Sequence, residues 1–256
     1  MRLGLGPIDL HDATRDSLIS LASQAASSSF DAVWVAESRA DGAGGGLAAA
    51  ALLAQVVPIR VGAVVDLGLY HPLHLAEDIA VADLTSQGRV EVILRMATAA
   101  QRDLLEEHLE VLALALSGAH IKWTGKHLRV PAGIEANQPT PSRLALNPRP
   151  AQPAVPVWIE STEAWMEEPA RRLGFGVAAR WGPDARVPEP TGRWPGLLLC
   201  PTDVEAESLL GAAGDRAGYF VVAAPNPHEA AAVGRRLAGP LRMPEFPDWI
   251  NADTFT

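Results

Sequence analysis

Cysteine is almost absent from this 256-residue chain. Cys200 stands alone, so an internal disulfide is excluded and a reducing cytoplasm is the expected compartment. Cations are in the minority: 21 Lys and Arg against 30 Asp and Glu, a formal charge of −9. That balance argues against nucleic acid or an anionic membrane as the main partner. Long apolar runs are missing too. The longest, 47–57, contains Gln55 and is too short to span a bilayer. The start does not read as a signal peptide, because Met1-Arg2 leads directly into a strand-like run with Asp9 close behind. No His-Glu-x-x-His pattern occurs, so no metal site is expected. Gly42-Ala43-Gly44-Gly45-Gly46 is not followed by Gly-Lys-Ser/Thr, which excludes a P-loop and leaves a mobile lid or disordered tip. Gly4-Leu5-Gly6 lacks the third glycine of a dinucleotide motif.

What is present is alternation. Eight strand-like runs occur at Leu3–Gly6, Ala32–Ala36, Ile59–Val65, Val90–Arg95, Val155–Glu160, Gly176–Arg180, Gly196–Cys200 and Tyr219–Ala223. Helical patterns fill most of the gaps: Asp12–Ser28, Leu47–Val56, Pro72–Ser86, Gln101–Ser117, Asp203–Ala212 and Asn226–Ala238. Alternating strands and helices imply a parallel sheet, and eight of them a (β/α)8 barrel in one domain over 1–256. Two connections are irregular. Residues 121–153, between the fourth and fifth strands, form a Pro-rich excursion with a small hairpin turning at Thr124-Gly125-Lys126. Residues 181–195, between the sixth and seventh strands, carry four prolines and no helical period, so the helix due there is missing or reduced. Residues 240–256 read as a C-terminal tail.

The segment 59–95 carries the most information. It holds a strand, His71-Pro72, a helix with Ala76-Glu77, then Asp83-Leu84-Thr85-Ser86-Gln87-Gly88-Arg89 and a further strand. In this order the pieces resemble the bacterial luciferase-like oxidoreductases, which use FMN or F420. Phe30–Glu37 resembles that family's second strand. Pro148–Ile159 resembles its entry to strand five, and Cys200–Glu205 a turn near its end. The resemblance implies a barrel, and an oxidoreductase or monooxygenase acting on a small organic substrate. One departure stands out. Relatives carry glycines after the Gly-Arg of this motif, where a planar flavin nears the backbone; this chain has Ile93 and Arg95.

Chemistry on such a barrel belongs to the strand ends. Glu37 and Asp66 end the second and third strands and are candidate catalytic carboxylates, or else caps and solvated loop residues. His71, before Pro72, is a candidate acid, base or orienting group; the alternative is a loop histidine bonded to backbone. Arg95 ends the fourth strand and reads either as an anion contact or as an ion pair with Glu91 or Glu160. Glu160-Ser161-Thr162 resembles the luciferase segment that holds the flavin phosphate, which implies cofactor roles for Glu160, Ser161 and Thr162; simple helix capping is the alternative. Pro169 is read as interrupting the helix that follows. The resemblance also implies contact near Val65, where relatives often have a strained cis peptide under the flavin.

Leu47–Val56 is almost wholly apolar, with little polar beyond Gln55, more than one buried face requires. A dimer through the second and third helices is expected, homodimeric or with a related subunit, with a charge at Ala50 as its check; the alternative is cover from the 121–153 excursion or the aromatic tail with Phe246, Trp249 and Phe255. Luciferase-like proteins often pair there. Three functions stay open: an FMN- or F420-dependent oxidoreductase, a partner subunit without cofactor, or a cofactor-free biosynthetic enzyme.

Overall fold

The computed structural model describes residues 1–37, 45–95, 102–131, 144–160, 164–214, 216, 218–224, 226–238 and 241. A strand buried on both faces must be apolar on both, and the expected runs behave so. In chain order the strands are β1 (Arg2–Asp9), β2 (Ala32–Ala36), β3 (Arg60–Asp66), β4 (Val90–Arg95), β5 (Trp123–Thr124), β6 (Arg129–Val130), β7 (Val157–Glu160), β8 (Gly176–Arg180), β9 (Gly196–Cys200) and β10 (Gly218–Val222). All but β5 and β6 close into one parallel barrel in the order β1-β10-β9-β8-β7-β4-β3-β2. This is a (β/α)8 barrel.

The helices are α1 (Arg15–Ser27), α2 (Gly46–Leu53), α3 (Pro72–Thr85), α4 (Arg102–Leu116), α5 (Glu167–Leu173), α6 (Ala206–Ala213) and α7 (Pro227–Ala238). Their starts follow local chemistry. The Thr14 hydroxyl accepts from the Ser17 amide at 3.2 Å, and Asn226 Oδ1 from the Glu229 amide at 2.9 Å. Helix α5 corrects the reading of Pro169. That proline sits in the first turn, where its missing N–H would have no intrahelical partner anyway, so the helix tolerates it.

No helix lies between β8 and β9. The segment there is held piecemeal: the Val187 amide donates to the Ala212 carbonyl at 3.0 Å, and Thr191 bridges Trp194. Buried Val187 supplies apolar cover in the outer shell, while Trp194 turns into the barrel-interior cluster. The hairpin β5–β6 in the 121–153 excursion forms as expected, but its turn closes one step later, with the Gly125 amide on the Leu128 carbonyl. Glu107 of α4 fastens its tip, accepting from the amides of Lys126 at 2.6 Å and Leu128 at 2.9 Å.

The barrel interior is solid. Trp34, Trp158 and Tyr219 are fully buried there with ring centroids 5.6–6.2 Å apart, and Trp194 packs on Trp158. Two glycines make room. A Cβ at Gly62 would collide with the Trp34 indole, and one at Gly176 with that of Trp158. Below the rings, at the N-terminal end of the strands, polar groups close the floor. Trp34 Nε1 donates to the Tyr219 hydroxyl at 2.9 Å, which donates to Glu91 Oε2 at 2.7 Å. Arg2 and Arg60 grip the other Glu91 oxygen. Burial opposes the Glu91 charge, but the two guanidinium groups outweigh it and hold its carboxyl below the ordinary range.

Helix α2 turns Leu47, Ala50 and Leu53 inward. Ala50 is fully buried, so a charge there would disrupt the core instead of testing an outer face. The outward residues are Leu52 and Val56, 69% and 50% exposed, beside Val81 and Leu84 of α3 at 50% and 44%. Grooves of about 650 Å³ and 290 Å³ flank α2 on its α1 and α3 sides. No helix among the described residues is long and apolar enough to cross a membrane.

Candidate functional site at the barrel mouth

Side chains alternate along a strand, so residues two apart share a face. Val64, Ile93 and Trp158 pack in the barrel-interior cluster. Asp66, Arg95 and Glu160 come two residues later and therefore face the same axis at the mouth. Register puts them on one tier. Asp66 pairs with Arg95, and Leu94 with Ile159, so the next step sets Arg95 beside Glu160. Neighbouring strands lie about 4.8 Å apart, so Arg95 starts from a strand end with Asp66 on one neighbouring strand and Glu160 on the other. All three are largely buried, at 7%, 8% and 1% exposure.

Glu37, just past β2, is 1% exposed and fully engaged. Its Oε1 accepts from the amides of Gly45 and Gly46, each at 3.1 Å, and from the Tyr70 hydroxyl at 2.5 Å. Its Oε2 accepts from the Asp66 amide at 3.3 Å. Arg95 Nη2 donates to the Glu37 carbonyl at 2.6 Å. One residue thus ties together the end of β3, the tip of β4 and the start of α2. Burial and the Glu37 carboxylate raise the Tyr70 phenol above its ordinary pKa, so it remains a donor. With four donors on its two oxygens, the Glu37 carboxylate acts as a clamp.

Glu160 Oε1 pairs with Arg180, whose head is 60% exposed at the end of β8. Glu160 Oε2 and Asp66 Oδ1 are buried with no hydrogen-bond partner. Sequence reasoning missed Tyr70 and Arg180. The position of Arg180 at a strand end was a usable signal; nothing local announces that Tyr70 reaches back 33 residues to Glu37.

His71 caps α3, its Nδ1 accepting from the Leu73 amide at 3.3 Å, and its ring meets His74 with centroids 5.7 Å apart. Burial, and then His74, lower its pKa. Val65 points the other way from Val64 and Asp66, fully buried in the shell between strands and helices, so it offers the mouth only its main chain. The cis peptides among the described residues all precede proline, and none lies at 64–66. Ser161 and Thr162 lie outside the described residues, as do residues 42–44 of the glycine-rich run. Cys200 is buried and its thiol pushed up to about 12 by that burial, which makes it a small hydrophobe rather than a nucleophile. No group of three or more metal-ligating side chains occurs among the described residues.

The architecture defines a class: an eight-stranded α/β barrel with charged side chains gathered at the C-terminal strand ends. The family follows from comparison. Residues 4–189 match the model for luciferase-like monooxygenases, and the chain belongs to that family. Solved structures agree on the fold. The monooxygenase RslO1 from Streptomyces bottropensis is 15% identical with TM-score 0.64, covering 94% of this chain and 98% of that one. An F420-dependent secondary alcohol dehydrogenase bound to an F420-acetone adduct is 12% identical with TM-score 0.67, covering 94% and 99%. The oxygenating constituent of 3,6-diketocamphane monooxygenase from Pseudomonas putida, in complex with FMN, is 18% identical with TM-score 0.53, covering 71% and 58%. No curated protein sequence matches the chain.

Proposed function

We propose that this chain is an oxidoreductase that uses reduced FMN or F420 at the mouth of its barrel on a small organic substrate. The observation that carries the reading is the buried tier Asp66–Arg95–Glu160, set over an apolar floor in a chain of the luciferase-like family. The tier suits such a group. Its two unsatisfied acceptor oxygens match the ring N–H and side-chain hydroxyls that both cofactors carry. Asp66, Arg95 and Glu160 would hold it, with Ser161 and Thr162 proposed for its phosphate.

When bound, the cofactor supplies the reducing electrons, and with FMN the means of using dioxygen. The chain supplies placement and dryness. Glu37 holds Tyr70 and the start of α2 beside the tier. Trp34, Trp158 and Ile93 exclude water from below. His71, at the start of α3, is proposed as an acid, base or orienting group for substrate at the mouth.

Ile93 favours a second reading, a homologue that has given up the flavin. It is fully buried in the interior where relatives carry glycine, so the floor under a planar ring is bulkier here. One titration separates the two. Absorbance of the purified chain with added FMN or F420 should show a saturable complex with one of them; no binding of either at micromolar concentration leaves the cofactor-free reading.

A further inference from the structure

We propose that the inner tier of the mouth is a seat for O–H and N–H donors, and not for a phosphate. This deepens the reading above and rests on it for the identity of the ligand. Arg95, taken alone, invites the opposite assignment, because a strand-end guanidinium is a natural phosphate contact. Its surroundings change the chemistry. One of its donors is already spent on the Glu37 carbonyl at 2.6 Å. Asp66 lies on one side and Glu160 on the other in the same register. An anion entering here would meet two carboxylates along with two guanidiniums, of which Arg95 is bonded to the Glu37 carbonyl and Arg180 is paired with Glu160 Oε1.

The two carboxylates are also incomplete. Asp66 Oδ1 and Glu160 Oε2 are buried acceptors with no partner, although both residues are more than nine-tenths buried. Buried polar atoms are rarely left so, because each costs a desolvation penalty that folding does not repay. Both residues end barrel strands, β3 and β7, at the C-terminal end of the barrel where such folds do their chemistry. What they lack is donors. Hydroxyl groups or an N–H edge supply such donors without charge; a phosphate brings mostly acceptor oxygens and a negative charge that the two carboxylates repel. The donors could come from the cofactor or from a hydroxylated or amine-bearing substrate, and the chemistry of the seat is the same.

The test uses the full-length chain, its Asp66→Ala variant and its Glu160→Gln variant. Probes are FMN, riboflavin, inorganic phosphate and ribitol, plus F420 and its phosphate-free deazaflavin fragment. Binding is read by calorimetry, and the ligand-free melting temperature is recorded alongside. Each variant should weaken riboflavin and FMN by the same factor, about tenfold or more, and leave inorganic phosphate unweakened. FMN weakened while riboflavin is not would place the phosphate on the tier and overturn the proposal. So would unchanged affinities for every probe, the result expected if a trapped water satisfies both oxygens. If the parent takes no flavin or deazaflavin, the cofactor reading falls while the seat is still tested: ribitol should raise the melting temperature of the parent and not of the variants. No shift by ribitol in the parent then overturns the seat as well. Should Asp66→Ala fail to fold, the near-isosteric Glu160→Gln decides alone.

Discussion

At the scale of single residues, space and charge decide more than residue type. Gly62 and Trp34 form a matched pair across β2 and β3, with no room for a Cβ between them. Gly62→Ala should cost about 1–3 kcal/mol or more through overpacking, read as a lower urea midpoint at unchanged slope. Glu37 illustrates the same point for charge. The sequence marks it as a strand-end carboxylate, which is correct, but not that four donors already claim it. Those donors come from positions 45, 46, 66 and 70, and no local pattern encodes their convergence. Glu37→Gln should therefore destabilise the chain by about 1–3 kcal/mol in chemical denaturation, because the amide brings a donor to where the Tyr70 hydroxyl and three amides already donate. A fully stable Glu37→Gln chain that is merely inactive would favour a catalytic carboxylate over a clamp.

Among the elements, legibility followed burial. All eight barrel strands were legible because parallel strands covered on both sides read as unbroken apolar runs. Helix α5 was not, because Pro169 masks its start and the helix is only seven residues long. The absent helix between β8 and β9 was legible from prolines alone. The tier at the mouth was half legible: strand ends could be named, but which oxygens lack partners depends on packing across strands. Helix α2 carries the prediction of self-association. Its outward Leu52 and Val56, with Val81 and Leu84 of α3, make an apolar surface that a second copy would cover. Light scattering at micromolar concentration should give a dimer mass, and Leu52→Glu should reduce it to a monomer with the melting temperature little changed. A monomeric parent would rule out the dimer and point to cover from within the chain.

For the whole molecule, the polar floor of the barrel governs behaviour in acid. Glu91 binds Arg2, Arg60 and Tyr219 from within the barrel and joins strands that are distant in sequence. Its folded pKa is depressed below the ordinary 4.5, so its contribution is fully present above that value and is lost as pH falls through the folded pKa. Stability measured against pH should drop below about 4.5, and Glu91→Gln should lose about 3–5 kcal/mol at neutral pH while flattening that drop. A variant as stable as the parent at pH 7 would show the ion cluster to be dispensable.

The packed rings of Trp34, Trp158 and Tyr219 have a consequence for traffic. A barrel plugged by indoles offers no back door. Whatever enters at the mouth must leave by the same route, so two ligands sharing it have to arrive and depart in sequence. The one seated deeper comes first and goes last. Steady-state kinetics of such a chain should be ordered, with the shallower ligand blocking the exit of the deeper one when in excess.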